Sequence, residues 1–226
     1  MKKTVSVLFM FAGILFAITL LVSNLLATKI ILVGSWAAPA GVLIFPIAYI
    51  INDVIVEVWG YRKARLIIWS GFAVNLLAVL FFTLAIIAPP APFWQNQQAF
   101  STILGNTPRI IIASLLAYLT GSFLNAYVMS RVKILMKGKN FSVRAILSTL
   151  FGETADSLIF ITIAFAGTFP LEVIIGMVIT QACIKTLYEI AVLPFTILIV
   201  KKVKKVEGMD TFDESISYNP FAISQI

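Results

Sequence analysis

Eight ionisable side chains sit in stretches otherwise apolar: the acids Asp53, Glu57, Glu153, Asp156 and Glu189, and the bases Lys29, Arg109 and Lys185. Asp53 and Glu57 are four residues apart, Glu153 and Asp156 three, and Lys185 and Glu189 four, so on helices each pair shares a face. Two like charges at that spacing repel, which calls for cations or hydrogen-bond donors to approach them. Such carboxylates can accept the N–H groups of a polar solute or act as an acid/base couple. The structural alternatives are pairing of Asp53 and Glu57 with Arg62 and Arg65, a helix-start cap from Glu153 and Asp156, and an intrahelical Lys185–Glu189 pair. Asn24, Lys29 and Arg109 are candidate donors to a polar or anionic group, although lysine and arginine also snorkel to lipid headgroups. Phe45, Tyr49, Tyr118, Phe160 and Tyr188 are the aromatic candidates for stacking, with packing as the alternative. Asn75 and Asn125 read as interhelical hydrogen-bonding amides.

Composition narrows the chemistry further. The 226 residues are 60% hydrophobic and 12% charged, with no histidine and one cysteine, Cys183. Soluble domains carry about 25% charged residues, so this is the composition of a membrane protein. Serine-histidine and cysteine-histidine catalysis, histidine zinc sites and an intrachain disulfide are excluded. No cofactor and no metal is expected.

The elements that must position these groups are helices, giving an all-α polytopic fold. A hydrocarbon core about 30 Å thick needs about 20 apolar residues. Six stretches fit, at 4–24, 37–58, 66–88, 109–131, 145–167 and 171–200. The first run is too long for a signal-peptide core and is expected to remain as a helix. Basic residues concentrate in four segments: Lys2 and Lys3; Arg62, Lys63 and Arg65; Arg131, Lys133, Lys137, Lys139 and Arg144; and Lys201, Lys202, Lys204 and Lys205. With six helices these segments share one side, which the positive-inside rule makes cytoplasmic, together with both termini. That accounts for the net charge of +7 without nucleic acid. The segment from Pro89 to Pro108 has no lysine or arginine and reads as an external loop with a Gln95–Gln98 patch. Residues 1–205 read as one helical transmembrane domain without an internal repeat, and 206–226 as a polar, flexible cytoplasmic tail. A charge at a helix centre costs about 2.5–3.5 kcal/mol on insertion scales, so the eight must face a protein interior or a wet cavity. A cavity with acids toward one end and donors toward the other suits a small, planar, hydrogen-bonding solute better than a bulky lipid.

Five stretches take the reading further: SNLLATK from Ser23 to Lys29, FPIAYIINDVIVEVWGYRKAR from Phe45 to Arg65, TPRIIIASLLAYLTGSFLN from Thr107 to Asn125, GETADSLIF from Gly152 to Phe160, and KTLYEIAVLP from Lys185 to Pro194. In these the chain resembles the queuosine precursor transporter family, also described as vitamin uptake transporters, of bacterial inner membranes. The resemblance implies a six-helix, multi-pass carrier that imports 7-cyano- or 7-aminomethyl-7-deazaguanine for queuosine synthesis in transfer RNA. It carries over Asn24, Lys29, Asp53, Glu57, Arg109, Glu153, Asp156, Lys185 and Glu189. Asn52 departs from the small residue expected before the acid. A guanine-like edge offers ring N–H and amine donors that Asp156 or Glu153 can accept together, while Tyr49 or Phe160 stacks on the ring.

Two other classes compete. A substrate-binding membrane subunit would need an energising ATPase partner, because the chain has no G-x-x-x-x-G-K-[ST] loop. An intramembrane enzyme would use acids such as Asp53 and Asp156 as a dyad. Lipid is the expected surrounding; a homo-oligomer is compatible with the sequence, and an ATPase partner is not indicated by it.

Overall fold

The computed structural model describes residues 5–33, 36–105 and 108–222. Lys2 and Lys3 of the basic N-terminal segment, and Thr107 at the start of the third matching stretch, lie outside them. The chain runs through α1 (Val7–Leu26), strands β1 (Ile30–Val33) and β2 (Trp36–Pro39), a short 3-10 turn (Ala40–Leu43), α2 (Phe45–Trp59), α3 (Tyr61–Ile87), α4 (Gln97–Leu104), α5 (Pro108–Leu135), α6 (Phe141–Phe165) and α7 (Leu171–Glu207). Each of the six expected stretches contains a helix, and the fold is all-helical apart from the β1–β2 hairpin.

Five stretches are long and apolar enough to cross a membrane: α1, α3, Gln97–Leu135 containing α5, α6 and α7. The second expected span, 37–58, is corrected. Its first residues pair as antiparallel β2 with β1, Ile30 opposite Pro39, and helix begins only at Phe45. Pro39 disfavours helix in the residue before it, and Pro46 fits the first turn of a helix, which is where α2 begins. The 15 residues of α2 reach about 22 Å, short of the hydrocarbon thickness. The external loop also carries structure, because α4 forms within it and Gln97 donates to the Ile86 carbonyl at 2.9 Å.

The bundle inverts the usual pattern of a soluble domain. Large apolar side chains face outward, among them Ile14, Phe81, Leu84 and Leu198, while Asp53, Glu57, Arg144, Glu153, Lys185 and Glu189 are buried. Lipid accepts the apolar faces, and the polar groups inside depend on other protein groups for their partners. α2 is the most enclosed element, buried at twelve of its fifteen positions and packed against α1, α3, α5, α6 and α7. α5 and α6 approach closely at Gly121 and Gly152: a Cβ on Gly152 would lie 2.7 Å from the Asn125 Cβ and 2.9 Å from the Gly121 carbonyl oxygen. Small residues are what let two membrane helices meet backbone to backbone.

At the basic end the residues after α7 are packed, not loose. α7 ends at Gly208 in the left-handed conformation, φ 64°, and the chain doubles back. Asp213 accepts the Tyr61 N–H at 2.8 Å and so caps the start of α3. Gly60 is required there, with φ 84° and the position of a Cβ only 2.6 Å from Asp213 Oδ1. Buried Arg65 donates to the Asn219 carbonyl at 2.9 Å, Trp69 to that of Pro220 at 2.9 Å, and Tyr61 to that of Tyr218 at 2.9 Å. The expected flexibility fails because these donors on α3 and the Tyr61 and Tyr127 rings supply a surface for the tail.

Candidate functional site

Three layers of charge lie inside the bundle, and helix periodicity generates them. On α2, Tyr49, Asp53 and Glu57 recur every four residues along one buried face. On α6 the buried set Ser148, Thr149, Gly152, Glu153, Asp156 and Ser157 forms a polar stripe, and on α7 Lys185 and Glu189 are one turn apart.

The layer at the basic end is centred on Glu57. Arg144 grips both of its carboxylate oxygens, Lys204 contacts Oε1, and Lys133 stands 3.6 Å away. Lys133 also donates to the Thr211 carbonyl at 2.8 Å, and Lys204 pairs with Asp210 at 2.8 Å. Asp210 lies beyond α7. Partial burial, the largest influence on it, favours the neutral acid, but hydrogen bonds and charge from Lys133 and Lys204 outweigh this and hold its carboxyl below the usual range. The expected partners Arg62 and Arg65 are not what the structure gives Glu57; a bidentate fork from α6 replaces them.

The middle layer joins α2, α6 and α7. Lys185 Nζ lies 2.7 Å from Glu153 Oε2 and 2.7 Å from Asp156 Oδ2, so one cation bridges the two acids. Its nearest charged partners are on α6, not Glu189 on its own helix. The same Nζ sits 4.2 Å from the Phe45 ring centroid, and Phe45 packs against Tyr49 at 5.6 Å. Several polar atoms of this layer close no hydrogen bond among the described residues: Tyr49 Oη, Glu153 Oε1, Ser157 Oγ and Thr186 Oγ1. Buried polar groups are almost always satisfied, so a cluster that is not satisfied is suited to receive one.

Between these layers lie Asp53 and Glu189, one turn from Glu57 and Lys185 respectively. Asp53 accepts from Ser148 Oγ at 3.2 Å, and a short amide chain runs beside it from Asn52 to Asn125 at 2.8 Å.

The remaining expected residues lie elsewhere. Arg109 donates to the Ile163 carbonyl and, at 2.6 Å, to that of Ala166, satisfying the end of α6. Asn24 donates to Asn75 at 2.6 Å and takes the Ser114 hydroxyl at 3.5 Å, toward the same end as Arg109. Lys29 is exposed in the turn between α1 and the hairpin. Phe160 stacks edge-on with Phe165 at 6.2 Å, and Tyr188 is half-buried. Thus Tyr49, Glu153, Asp156 and Lys185 are brought together, Asp53 and Glu189 adjoin them, and Glu57 belongs to the basic end. Sequence reasoning named Phe45 among the aromatic candidates and Asn52 as a departure beside Asp53, but missed Ser148, Thr149 and the role of Arg144. The serine, threonine and glycine recurrence on α6 was the available signal, because polar residues spaced three and four apart on an apolar helix mark an inward face.

Comparison with known proteins fits this geometry. A family model described as "Putative vitamin uptake transporter" matches residues 39–199, from β2 through most of α7. The "Probable queuosine precursor transporter" of Bacillus subtilis is 28% identical over 174 residues, 76% of each chain. The "Queuosine precursor transporter" of Escherichia coli is 29% identical over 66% of each, and a Haemophilus influenzae relative with the Bacillus description is 31% identical over 55% of this chain and 51% of its own. No solved structure matches. The family is one of transporters, not enzymes, which sets aside the acid/base dyad, and with its long apolar helices this chain is a multi-pass membrane protein. A matched region that contains Asp53, Glu57, Arg144, Glu153, Asp156, Lys185 and Glu189 makes this chain a member of the vitamin uptake transporter family.

Proposed function

We propose that this protein carries queuosine precursor bases, 7-cyano- or 7-aminomethyl-7-deazaguanine, across the bacterial inner membrane, and that the middle layer holds the base. The observation that carries the reading is Lys185 bridging Glu153 and Asp156 at 2.7 Å each inside a bundle whose neighbouring polar atoms lack partners. A planar base brings a ring N–H and an exocyclic amine on one edge. Those donors compete with Lys185 for Asp156 and Glu153, and the freed ammonium turns to a carbonyl acceptor on the base. Tyr49 and Phe45 supply apolar faces for the ring. The Lys185 bridge thereby closes the unloaded site and opens only to a solute that replaces its hydrogen bonds, which disfavours an apolar competitor.

Asp53 and Glu189 border this site, and Glu57 with Arg144 seals its basic end. Asn24, Lys29 and Arg109 lie toward the opposite end, where they flank an entry route. The basic segments support a cytoplasmic basic end with both ends of the chain on that side. The names of the bacterial relatives support the substrate class.

The test is queuosine content of transfer RNA in cells that neither make the precursor base nor carry their own importer, supplied with nanomolar base. Cells expressing this protein regain the modification. No restoration, with the protein present in the membrane, overturns the reading.

A further inference from the structure

We propose that Asp53 and Glu189 form a proton site, the two carboxyl groups holding one proton between them and exchanging it in each transport cycle. The proposal rests on the transport reading for its second half only. Asp53 on α2 and Glu189 on α7 are 0% and 2% exposed, and they face each other within hydrogen-bonding reach. Two carboxylates cannot share a hydrogen bond unless one carries a proton, and two buried anions in contact repel strongly.

The surroundings supply no cation to do the proton's work. α6 offers Ser148 and Thr149 and, further along, Glu153, a further acid and not a cation. On α7 the nearest cation is Lys185, one turn away and held by Glu153 and Asp156. On α2 the next acid, Glu57, is held by Arg144 and Lys204. α1 carries no ionisable residue, α5 presents only Asn125 here, and buried Arg65 of α3 is held by tail carbonyls.

A second observation points to a proton in preference to a metal cation. The Asn52 amide donates to the Ser122 carbonyl at 3.3 Å, a group that can only accept, and to Asn125 Oδ1 at 2.8 Å. This fixes which way Asn125 points: its oxygen is taken, and its N–H2 turns toward Asp53. Hard cations take oxygen ligands, so a donor aimed into the pair repels one. The donor is also unspent. Asn125 Nδ2, 0% exposed, and Thr149 Oγ1, 1% exposed, are turned to Asp53 and Glu189 but close no hydrogen bond, and Glu189 Oε2 has no partner. These idle groups are what a newly ionised pair would need. On proton release, two carboxylates replace one acid and one carboxylate, Asn125 and Thr149 close onto them, and repulsion drives α2 from α7. Proton binding reverses each step. Because Glu189 follows Lys185 by one turn, displacement of α7 also moves the lysine that bridges the substrate acids.

Two measurements decide this. In purified protein, infrared titration reads a protonated carboxyl near neutral pH in the wild type, absent in both D53N and E189Q. In proteoliposomes with labelled 7-cyano-7-deazaguanine, a neutral base, an inward proton gradient drives accumulation several-fold above equilibrium and a sodium gradient does not. Lack of the carboxyl band in the wild type overturns the proton site, even where the variants fold poorly. A band with accumulation driven by sodium, or with exchange indifferent to pH gradients, overturns the coupling while transport stands. No counterflow of the base at all removes the transport reading and the coupling together, and the infrared band still decides the proton site.

Discussion

The two ends of the charged interior obey different rules. At the basic end Glu57 is 1% exposed and meets Arg144, Lys204 and Lys133, each cation finding further acceptors in Asp210 and backbone carbonyls. About three helical turns along α2 from Glu57 to Phe45, Lys185 meets two acids, yet Tyr49, Ser157, Thr186 and one oxygen of Glu153 stay unpaired. Glu57, Arg144 and Lys133 are as buried as Glu153 and Lys185, so burial alone does not distinguish a strut from a site. Saturation does: around Glu57 the carboxylate, Arg144, Lys133 and Lys204 are all paired, and substitution there attacks the fold; around Lys185, where neighbouring polar atoms are idle, it attacks the ligand.

The comparison breaks most visibly at the saturated end. Glu57→Ala removes the carboxylate that fully buried Arg144 meets and that Lys133 and Lys204 share, at a cost on the order of 3–5 kcal/mol. The expected outcome is near-complete loss of folded protein, read by fluorescence-detected size exclusion. Asp156→Asn, in contrast, keeps membrane abundance within about twofold of the wild type and lowers uptake at least about tenfold, as loss of a charge-assisted hydrogen bond worth about 1.5–3 kcal/mol requires. Equal loss of protein in both variants would erase the distinction between the two regions.

Smaller effects sharpen it. Asp213→Ala removes the cap on α3 and lowers stability by about 1 kcal/mol, measured as an earlier thermal transition with proteolysis of the tail. The smallest effect is pH-dependent. Asp210 is held below its ordinary value, so its contribution is present above that value and is lost as pH falls through the lowered one. Acidification below about pH 4 therefore loosens the tail, read from Trp69 fluorescence, and Asp210→Asn abolishes that acid step.

Much of this was legible in the sequence because helices in lipid obey two strict rules: enough apolar length, and no unpaired charge facing outward. The i, i+4 spacing of Asp53 and Glu57, and of Lys185 and Glu189, assigned them correctly to buried faces. Partner choice was not legible. Spacing paired Lys185 with Glu189, whereas contact between α6 and α7 gives Lys185 to Glu153 and Asp156 instead. Glu57 was matched with nearby Arg62 and Arg65, yet its partners come from 76 to 147 residues away. Hydropathy also merged the hairpin with α2, because apolar residues such as Trp36, Ala37 and Ala38 score alike in strand and helix, and only Pro39 and Pro46 mark the change. The tail misled through its polarity: Asp213, Ser217 and Asn219 look solvated in sequence, but they or their carbonyls are consumed by Tyr61 and Arg65 of α3.

The central claim is that the unsaturated middle layer, not the saturated basic end, receives the base. Equilibrium binding of 7-cyano-7-deazaguanine to purified protein tests it most directly, in the wild type, Asp156→Asn, Tyr49→Phe and the tail variant Asp213→Ala, each confirmed as folded. The account predicts a dissociation constant raised at least about tenfold in Asp156→Asn, raised less in Tyr49→Phe and unchanged in Asp213→Ala. Wild-type affinity in Asp156→Asn and Tyr49→Phe would contradict it.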